Sequence, residues 1–196
     1  MATLLYTDPR FAEHPTGAGH PERPERMAAV DRGVAACPVV DDLVPTAPRA
    51  ATIDELAVVH DRDYLEALER FCADGGGRLD PDTVAAAPSW DIACLAAGAG
   101  LDAVERLQAG EAATAFLAVR PPGHHATPTR AMGFCLLNNV AVCAGNLARA
   151  GERVLVVDID AHHGNGTQDA FWDDPRVSYV SVHEHPMYPG TGMLRE

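Results

Sequence analysis

Val154–Gln168 has the sequence VLVVDIDAHHGNGTQ and constrains the architecture more than any other segment. It begins with four consecutive apolar residues and becomes polar abruptly at Asp158. A continuous, mostly β-branched run of this length is typical of a strand buried on both faces, as in a parallel sheet. Open α/β sheets carry their chemistry at the carboxyl ends of the strands. We therefore expect the polar residues after Val157 to form a functional site at the edge of a sheet.

The polar part of this segment has the donors of a metal site. Asp158, Asp160 and His162 alternate with apolar residues, so an extended chain would place them on one face. Zinc binds carboxylate oxygen and imidazole nitrogen, and a catalytic zinc site uses three protein ligands and an open position for water. The alternative is a surface loop that is merely rich in Asp and His. The density of these residues directly after a core strand favours the metal site.

A second cluster, His124-His125, follows the predicted strand Ala115–Val119 through a Pro-Pro-Gly segment. Imidazoles beside a metal-activated water can take up its proton and protonate the leaving group during hydrolysis. Asp158 would orient one imidazole, and Asn165 would orient the other without adding charge. The alternative is a pair of loop histidines whose ring nitrogens bind backbone groups.

Strands and helices alternate along the chain, which predicts one α/β domain. A further histidine, His60, is expected to be buried and structural. The predicted strands are Thr3–Thr7, Ala115–Val119, Val154–Val157 and Val177–Val182. The predicted helices are Pro24–Ala36, a second from Asp61 or Arg62 to Cys72, Ser89–Leu107 and Gly133–Ala150. Thr52 and Glu55 form a predicted capping box.

Composition limits the class of protein. The chain has 196 residues, of which 47% are hydrophobic and 22% charged, as in a single globular domain. Its net charge of −13 argues against a nucleic-acid partner bound through a basic patch. The five cysteines are scattered without a CxxC pair, which indicates a reducing compartment. No signal peptide and no run of about 18 apolar residues is evident, so we expect a cytoplasmic enzyme without a membrane partner.

Six ordered motifs resemble the zinc-dependent histone deacetylase superfamily. The resemblance is closest to its class II branch and to bacterial relatives, the histone-deacetylase-like amidohydrolases and acetylpolyamine amidohydrolases. It implies the arginase/deacetylase α/β fold, a mostly parallel sheet flanked by helices, and hydrolysis of acetyl-lysine or acetylated polyamines. The motifs are GAGHPERPERM (Gly17–Met27), VHDRDYLEAL (Val59–Leu68), RPPGHHA (Arg120–Ala126), GFCLLNNVAV (Gly133–Val142), VDIDAHHGNGTQ (Val157–Gln168) and YPGTG (Tyr188–Gly192).

The resemblance implies catalytic roles for individual residues. Asp160 and His162 match two of the family's three zinc ligands. His124 and His125 match its tandem histidines, of which the second is the general base and acid. The other two catalytic positions are Asp158, which matches the aspartate behind the first histidine, and Asn165, which stands behind the second.

Substrate and cation sites are implied in the same way. A narrow tube for the acyl-lysine chain would be formed by Gly133, Phe134 and Tyr188. The loop with His20 and Arg26 would complete the substrate site, with Arg26 near an internal product channel. A structural potassium site would use Asp158, Ser181 and Val182, the last two largely through backbone oxygens.

One part of the family pattern has no counterpart in this sequence. The third zinc ligand, an Asp, and the transition-state Tyr lie beyond the position of Tyr188, and the sequence ends at Glu196. We therefore expect residues 1–196 to be the N-terminal portion of a single catalytic domain, incomplete at the C-terminus and inactive alone. A homo-oligomer is compatible with this interpretation.

Two other functions compete with this interpretation. A catalytically dead, truncated homologue could act as a binding or scaffold protein, but the intact histidine and aspartate motifs argue against it. A two-metal hydrolase of the arginase type would need an Asp where the sequence has Gly164.

Overall fold

A computed structural model describes residues 2–193. The helices are α1 (Glu25–Ala35), α2 (Ile53–Leu56), α3 (Arg62–Ala73), α4 (Ser89–Gln108), α5 (Asn139–Arg149) and α6 (Asn165–Phe171). The strands are β1 (Thr3–Tyr6), β2 (Leu43–Thr46), β3 (Gly76–Arg78), β4 (Val84–Ala86), β5 (Thr114–Leu117), β6 (Val154–Asp158) and β7 (Val177–Ser181). Short 3-10 helices occupy Pro9–Glu13 and Val40–Asp42. None of the described helices is both long and apolar enough to cross a membrane.

The long-range strand pairing is parallel, as predicted. β1 lies between β2 and β5 and pairs with both, so that Thr3 is opposite Leu43 and Thr114. β6 and β7 form a second parallel pair, in which Val154 is opposite Val177. A small antiparallel ribbon, β3 with β4, stands apart from both. Within residues 2–193, β5 and β6 are not hydrogen-bonded to each other.

Two helices that pack against each other cover both parallel sheets. α4 lies on β1 and β5, where its Ala99 and Ala103 contact Leu4 and Tyr6. α5 lies on β6 and β7 and buries Val156. Because α4 and α5 are in contact, the two sheets lie side by side under one helical layer. This arrangement brings the carboxyl ends of β5 and β6 together.

The structure corrects the predicted burial of β6. Val156 is buried against α5, but Leu155 and Val157 on the opposite face are 62% and 57% exposed. The prediction of burial on both faces is wrong for the described chain, because only α5 and its neighbours cover this sheet.

The helix predicted over Gly133–Ala150 begins later, at Asn139. Gly133 and Phe134 have φ angles of 56° and 70°, in the left-handed region that a right-handed helix excludes. Asn138 precedes the first turn, and its side chain accepts a hydrogen bond from the Ala141 N–H. The first six residues of the prediction therefore form a loop, and that loop reaches the functional site.

Candidate functional site

A cavity of about 480 Å³ opens where the segments after β5 and β6 meet. Eight of the residues singled out from the sequence lie in its wall: Arg26, His124, His125, Gly133, Phe134, Asp160, His162 and Tyr188. Asp158 and Asn165 stand directly behind the two histidines. His20, Ser181 and Val182 are outside the cavity wall.

His124 is oriented by a carboxylate. Its Nδ1–H donates to Asp158 Oδ2 at 2.9 Å, and that same oxygen accepts from the Tyr179 hydroxyl at 3.1 Å. Burial favours a higher pKa for the Asp158 carboxyl, but the hydrogen bonds from His124, the Asp160 N–H and Tyr179 outweigh it and lower that pKa. Asp158 is therefore a carboxylate that fixes the tautomer of His124.

His125 is oriented by a neutral amide instead. Asn165 Oδ1 lies 2.8 Å from His125 Nδ1, while the Asn165 amide N–H donates to Met132 Sδ at 3.4 Å. An amide oxygen accepts only, so the proton is on Nδ1 and the lone pair is left on Nε2. Burial and then the neighbouring His124 lower the pKa of His125 to about 4. The imidazole is therefore neutral near pH 7, as a general base requires.

Asp160 and His162 converge in the bend that follows β6. The strand ends at Asp158, so the predicted alternation along a strand does not continue to these residues. Side-chain bonds replace it, since the Asp160 N–H donates to Asp158 Oδ1 and the His162 N–H to Asp160 Oδ1. Such bonds from a carboxylate to the N–H two residues on make consecutive turns.

The spacing of these two side chains suits zinc. Asp160 Oδ1 and His162 Nδ1 lie 3.2 Å apart. Two ligands at about 2.0–2.1 Å from a tetrahedral ion are themselves about 3.3 Å apart. Both side chains are about half exposed in the open cavity. Among residues 2–193, however, no group of three His, Cys, Asp or Glu side chains comes close enough to hold a metal. The donors thus fit zinc in kind and spacing, and the described residues provide two of them.

An aromatic wall stands beside the histidines. The ring of Tyr188 is perpendicular to that of His125 at a centroid distance of 5.0 Å. A Cβ on Gly133 would approach the His125 ring to 2.5 Å, so glycine permits this close packing. The ring of Phe134, which lines the cavity, packs against His20 at a centroid distance of 4.8 Å and an interplanar angle of 72°.

The positions predicted at the rim fall into two groups. Arg26 lines the cavity and is exposed. His20 stands behind Phe134, and its Nε2 donates to the Asp82 carbonyl at 2.9 Å. This contact ties the loop around His20 to the segment before β4.

The predicted potassium positions lie at the ends of β6 and β7. Ser181 is opposite Asp158 in the parallel pair, and the Val182 N–H donates to the Asp158 carbonyl at 3.0 Å. The Ser181 hydroxyl bonds His183 Nδ1 at 2.8 Å. The three residues are thus adjacent, and potassium binding stays a prediction.

The sequence interpretation missed a buried ion pair in the cavity wall. The Arg120 guanidinium donates to both oxygens of the Glu22 carboxylate, at 2.7 Å for Oε2. It also donates to the Phe11 and His14 carbonyls at 2.6 and 3.1 Å. The available signal was that Glu22 lies in the motif Gly17–Met27 and Arg120 in the motif Arg120–Ala126, so that each motif contributes one charged partner. Tyr179, which supports Asp158, had no signal beyond an aromatic residue in a strand.

Comparison with known proteins identifies similar chains. Residues 20–196 match the family described as histone deacetylase domain. A probable deacetylase of Methanothermobacter thermautotrophicus is 42% identical, with 91% of this chain aligned to 54% of its length. A probable deacetylase of Archaeoglobus fulgidus is 37% identical, with 100% of this chain aligned to 55% of its length.

A solved structure shows the same similarity. The crystal structure of the HDA15 HD domain superposes with a TM-score of 0.91 at 38% identity, covering 98% of this chain and 57% of that one. The chain therefore spans about half the length of the relatives it matches.

Proposed function

Because this chain belongs to the histone deacetylase family, we propose that its site carries out zinc-dependent hydrolysis of N-acetyl amides. One observation supports this most strongly. Two histidines with different supports, His124 on Asp158 and His125 on Asn165, face the donor pair of Asp160 and His162 across one cavity. A carboxylate behind one imidazole and an amide behind the other hold the two rings in fixed orientations with different charges beside them, an arrangement suited to general acid–base chemistry.

The proton transfers follow from these supports. Zinc bound at Asp160 and His162 would polarise the acyl carbonyl and lower the pKa of an attacking water. Neutral His125 accepts the proton of that water at Nε2 as the C–O bond forms. It then returns the proton to the amine nitrogen as the C–N bond breaks, giving a carboxylic acid and a free amine. His124, held by the Asp158 carboxylate, lies beside His125 at a ring-centroid distance of 4.0 Å and would help to orient the attacking water.

The cavity wall supports a linear acyl amine as substrate. Tyr188 and Phe134 line the cavity, and their rings would pack along a chain that carries the acetyl group past His125. We propose acetyl-lysine or an acetylated polyamine, since both are unbranched. The net charge of −13 favours cationic molecules and basic proteins.

We further propose that residues 1–196 alone have little or no activity. Two zinc donors are present among the described residues, and a catalytic zinc site takes three protein ligands. In addition, the sequence has no counterpart of the family's transition-state Tyr, and a lost oxyanion donor costs about 2.7–4 kcal/mol.

The test is a chimera that joins this chain to the part of the Methanothermobacter deacetylase it does not match. We expect zinc-dependent release of acetate from an acetyl-lysine peptide or from N-acetylputrescine, lost after chelation and restored by zinc. Asp160→Ala and His125→Ala should each reduce turnover at least a hundredfold. His185→Ala is the matched control, because His185 is exposed and outside the cavity wall. Retained turnover in Asp160→Ala or His125→Ala would contradict the assigned roles.

A further inference from the structure

Phe134 has a backbone conformation that aromatic residues rarely adopt. Its φ angle is 70°, and within residues 2–193 no other residue apart from glycine has a positive φ. Bulky side chains avoid this region because the Cβ atom crowds the neighbouring carbonyl group. Such a residue persists only where its surroundings hold it in place, and strained residues of this kind cluster at ligand clamps. Phe134 lies in the cavity wall, so we asked which contacts hold it there.

A tight turn carries the Phe134 ring into the wall. Met132 and Cys135 exchange two backbone hydrogen bonds, at 3.1 Å from the Met132 N–H and 2.9 Å from the Cys135 N–H. Gly133 and Phe134 form the tip of the turn, with φ angles of 56° and 70°. A turn with positive φ at both central residues normally has glycine at the second of them. A phenylalanine at that position therefore needs support from outside the turn.

Thr83 provides this support to the backbone. The Phe134 N–H donates to Thr83 Oγ1 at 3.0 Å, and the Thr83 hydroxyl donates in turn to Asp82 Oδ1 at 3.3 Å. Thr83 is held by its own backbone, since its N–H donates to Asp80 Oδ1 and its carbonyl accepts from the Leu79 N–H. The side chain is fully buried and outside the cavity wall. Thr83 can therefore act on a bound molecule only through its neighbours.

His20 provides support to the Phe134 ring. The two rings are 4.8 Å apart between centroids and inclined at 72°, which is a favourable arrangement for aromatic rings. His20 is anchored next to Thr83, because its Nε2–H donates to the Asp82 carbonyl at 2.9 Å. The short loop between β3 and β4 thus fixes both the backbone and the ring of Phe134.

We infer that Thr83 is a positioning residue, which holds Phe134 in its left-handed conformation and so makes the site selective for unbranched substrate chains. The inference rests on the proposed function, since it names a residue that sets the specificity of that same site. Without the Thr83 hydroxyl, the turn should relax to a negative φ at its tip, and the Phe134 ring should leave the wall. The cavity would then pack less closely along a narrow chain.

The first arm of the experiment uses the 196-residue chain without metal or substrate. Thr83→Val keeps the shape of the side chain but removes the acceptor, whereas Thr83→Ser retains the hydroxyl. We expect nuclear Overhauser contacts between the Phe134 and His20 rings in the parent chain and in Thr83→Ser, and their loss in Thr83→Val.

The matched control for this arm is Thr16→Val. Thr16 is also buried, and among the described residues its hydroxyl has no hydrogen-bond partner, so the same substitution should leave the ring contacts unchanged. Circular dichroism verifies the folding of each variant. Thr83→Ala removes the same acceptor with less bulk, and it replaces Thr83→Val if valine prevents folding.

The second arm uses the chimera with the Methanothermobacter deacetylase. Thr83→Val should raise KM for an acetyl-lysine peptide about fivefold, as expected for the loss of one hydrogen bond, and leave kcat within about twofold. The hydrogen bonds of Thr83 go to Phe134, Asp80 and Asp82, and none of these is a proposed metal ligand or base. The preference for this peptide over an analogue methylated at the lysine Cγ should also fall. Thr83→Ser should retain the parent values.

The two arms separate the inference from the proposed function. A parent chimera without hydrolytic activity contradicts the proposed function, and the first arm then decides the inference alone. Ring contacts that persist in Thr83→Val, or that are also lost in Thr16→Val, overturn the inference. A lower kcat at unchanged KM overturns it as well, because Thr83 would then act on the catalytic histidines and not on the cavity wall.

Discussion

The two histidines of the site are held by different hydrogen-bond acceptors, a carboxylate for His124 and an amide for His125. Asp158 accepts from His124 with a carboxylate oxygen, whereas Asn165 accepts from His125 with an amide oxygen. An adjacent carboxylate favours the imidazolium more strongly than an amide does, because it carries a full negative charge. Burial and then the neighbouring His124 lower the pKa of His125 and keep the ring neutral and available as a base, although the hydrogen bond to Asn165 acts in the opposite direction.

Asn165→Asp should therefore raise the pKa of His125 from about 4 toward the ordinary value of 6.5. The new carboxylate would bind Nδ1–H and stabilise the protonated ring. The measurement is a pH titration of the His125 ring nitrogens by ¹⁵N NMR on the metal-free chain. Gln108→Glu adds the same charge at the exposed end of α4 and should leave that pKa unchanged. An unaltered titration in Asn165→Asp would show that Asn165 does not control this ring.

At the scale of elements, glycine is required where a helix lies so close to the backbone of another segment that a Cβ atom would not fit. Gly98 lies in α4 beneath the segment before α2, and a Cβ there would come within 2.5 Å of the Ala51 nitrogen. The Ala51 N–H in turn donates to the Cys94 carbonyl at 2.8 Å. The helix and this segment are thus in backbone contact. Gly33 in α1 has open space around the corresponding position.

Gly98→Ala should destabilise the chain by about 1–3 kcal/mol, because backbone would have to move to admit the methyl group. Gly33→Ala should stabilise it by about 0.5–1 kcal/mol, because alanine lowers the entropy cost of a helical position. Urea denaturation of the two variants beside the parent chain measures both changes. Equal stability of the two variants would mean that α4 can shift away from Ala51.

Local sequence signals predicted most elements and failed at identifiable places. The capping box of Thr52 and Glu55 is confirmed, with both of its hydrogen bonds formed. β2 was missed because it is short, contains Pro45 and lies at the edge of its sheet. The beginning of α5 was misplaced because the apolar residues after Gly133 pack into the core as a loop with left-handed backbone.

At the scale of the whole molecule, buried histidines couple stability to pH. His60 is buried, as predicted, and its Nε2 accepts a hydrogen bond from the Asn138 N–H at 2.9 Å. Burial lowers the pKa of His60 from 6.5 to about 4. Between these values the unfolded chain binds a proton that the folded chain does not, so stability falls as pH falls.

His60→Gln should reduce this loss, because glutamine retains an acceptor for Asn138 but does not titrate. From pH 6.5 to pH 5 the parent chain should lose about 1.6 kcal/mol more stability than the variant, because the slope grows from about 0.7 kcal/mol per pH unit at pH 6.5 toward about 1.4 below it. Denaturant titrations at both pH values measure the difference. A parallel loss in the two proteins would mean that His60 is protonated in the folded state.

The sequence by itself determined the α/β class, the strand that carries Asp158, and the tandem histidines. Those features depend on short-range periodicity and on the chemistry of single residues, and both can be recognised within a short segment of sequence. Only the tertiary structure decided which groups meet: Asp158 with His124 across 34 residues, Asn165 with His125 across 40, and Arg120 with Glu22 across 98. It also decided that one face of β6 is exposed. The apolar run predicts that the strand is buried, but it does not identify the element that would cover each face. The physical reason is that contacts between distant segments depend on how helices and sheets pack, and no local pattern encodes that packing.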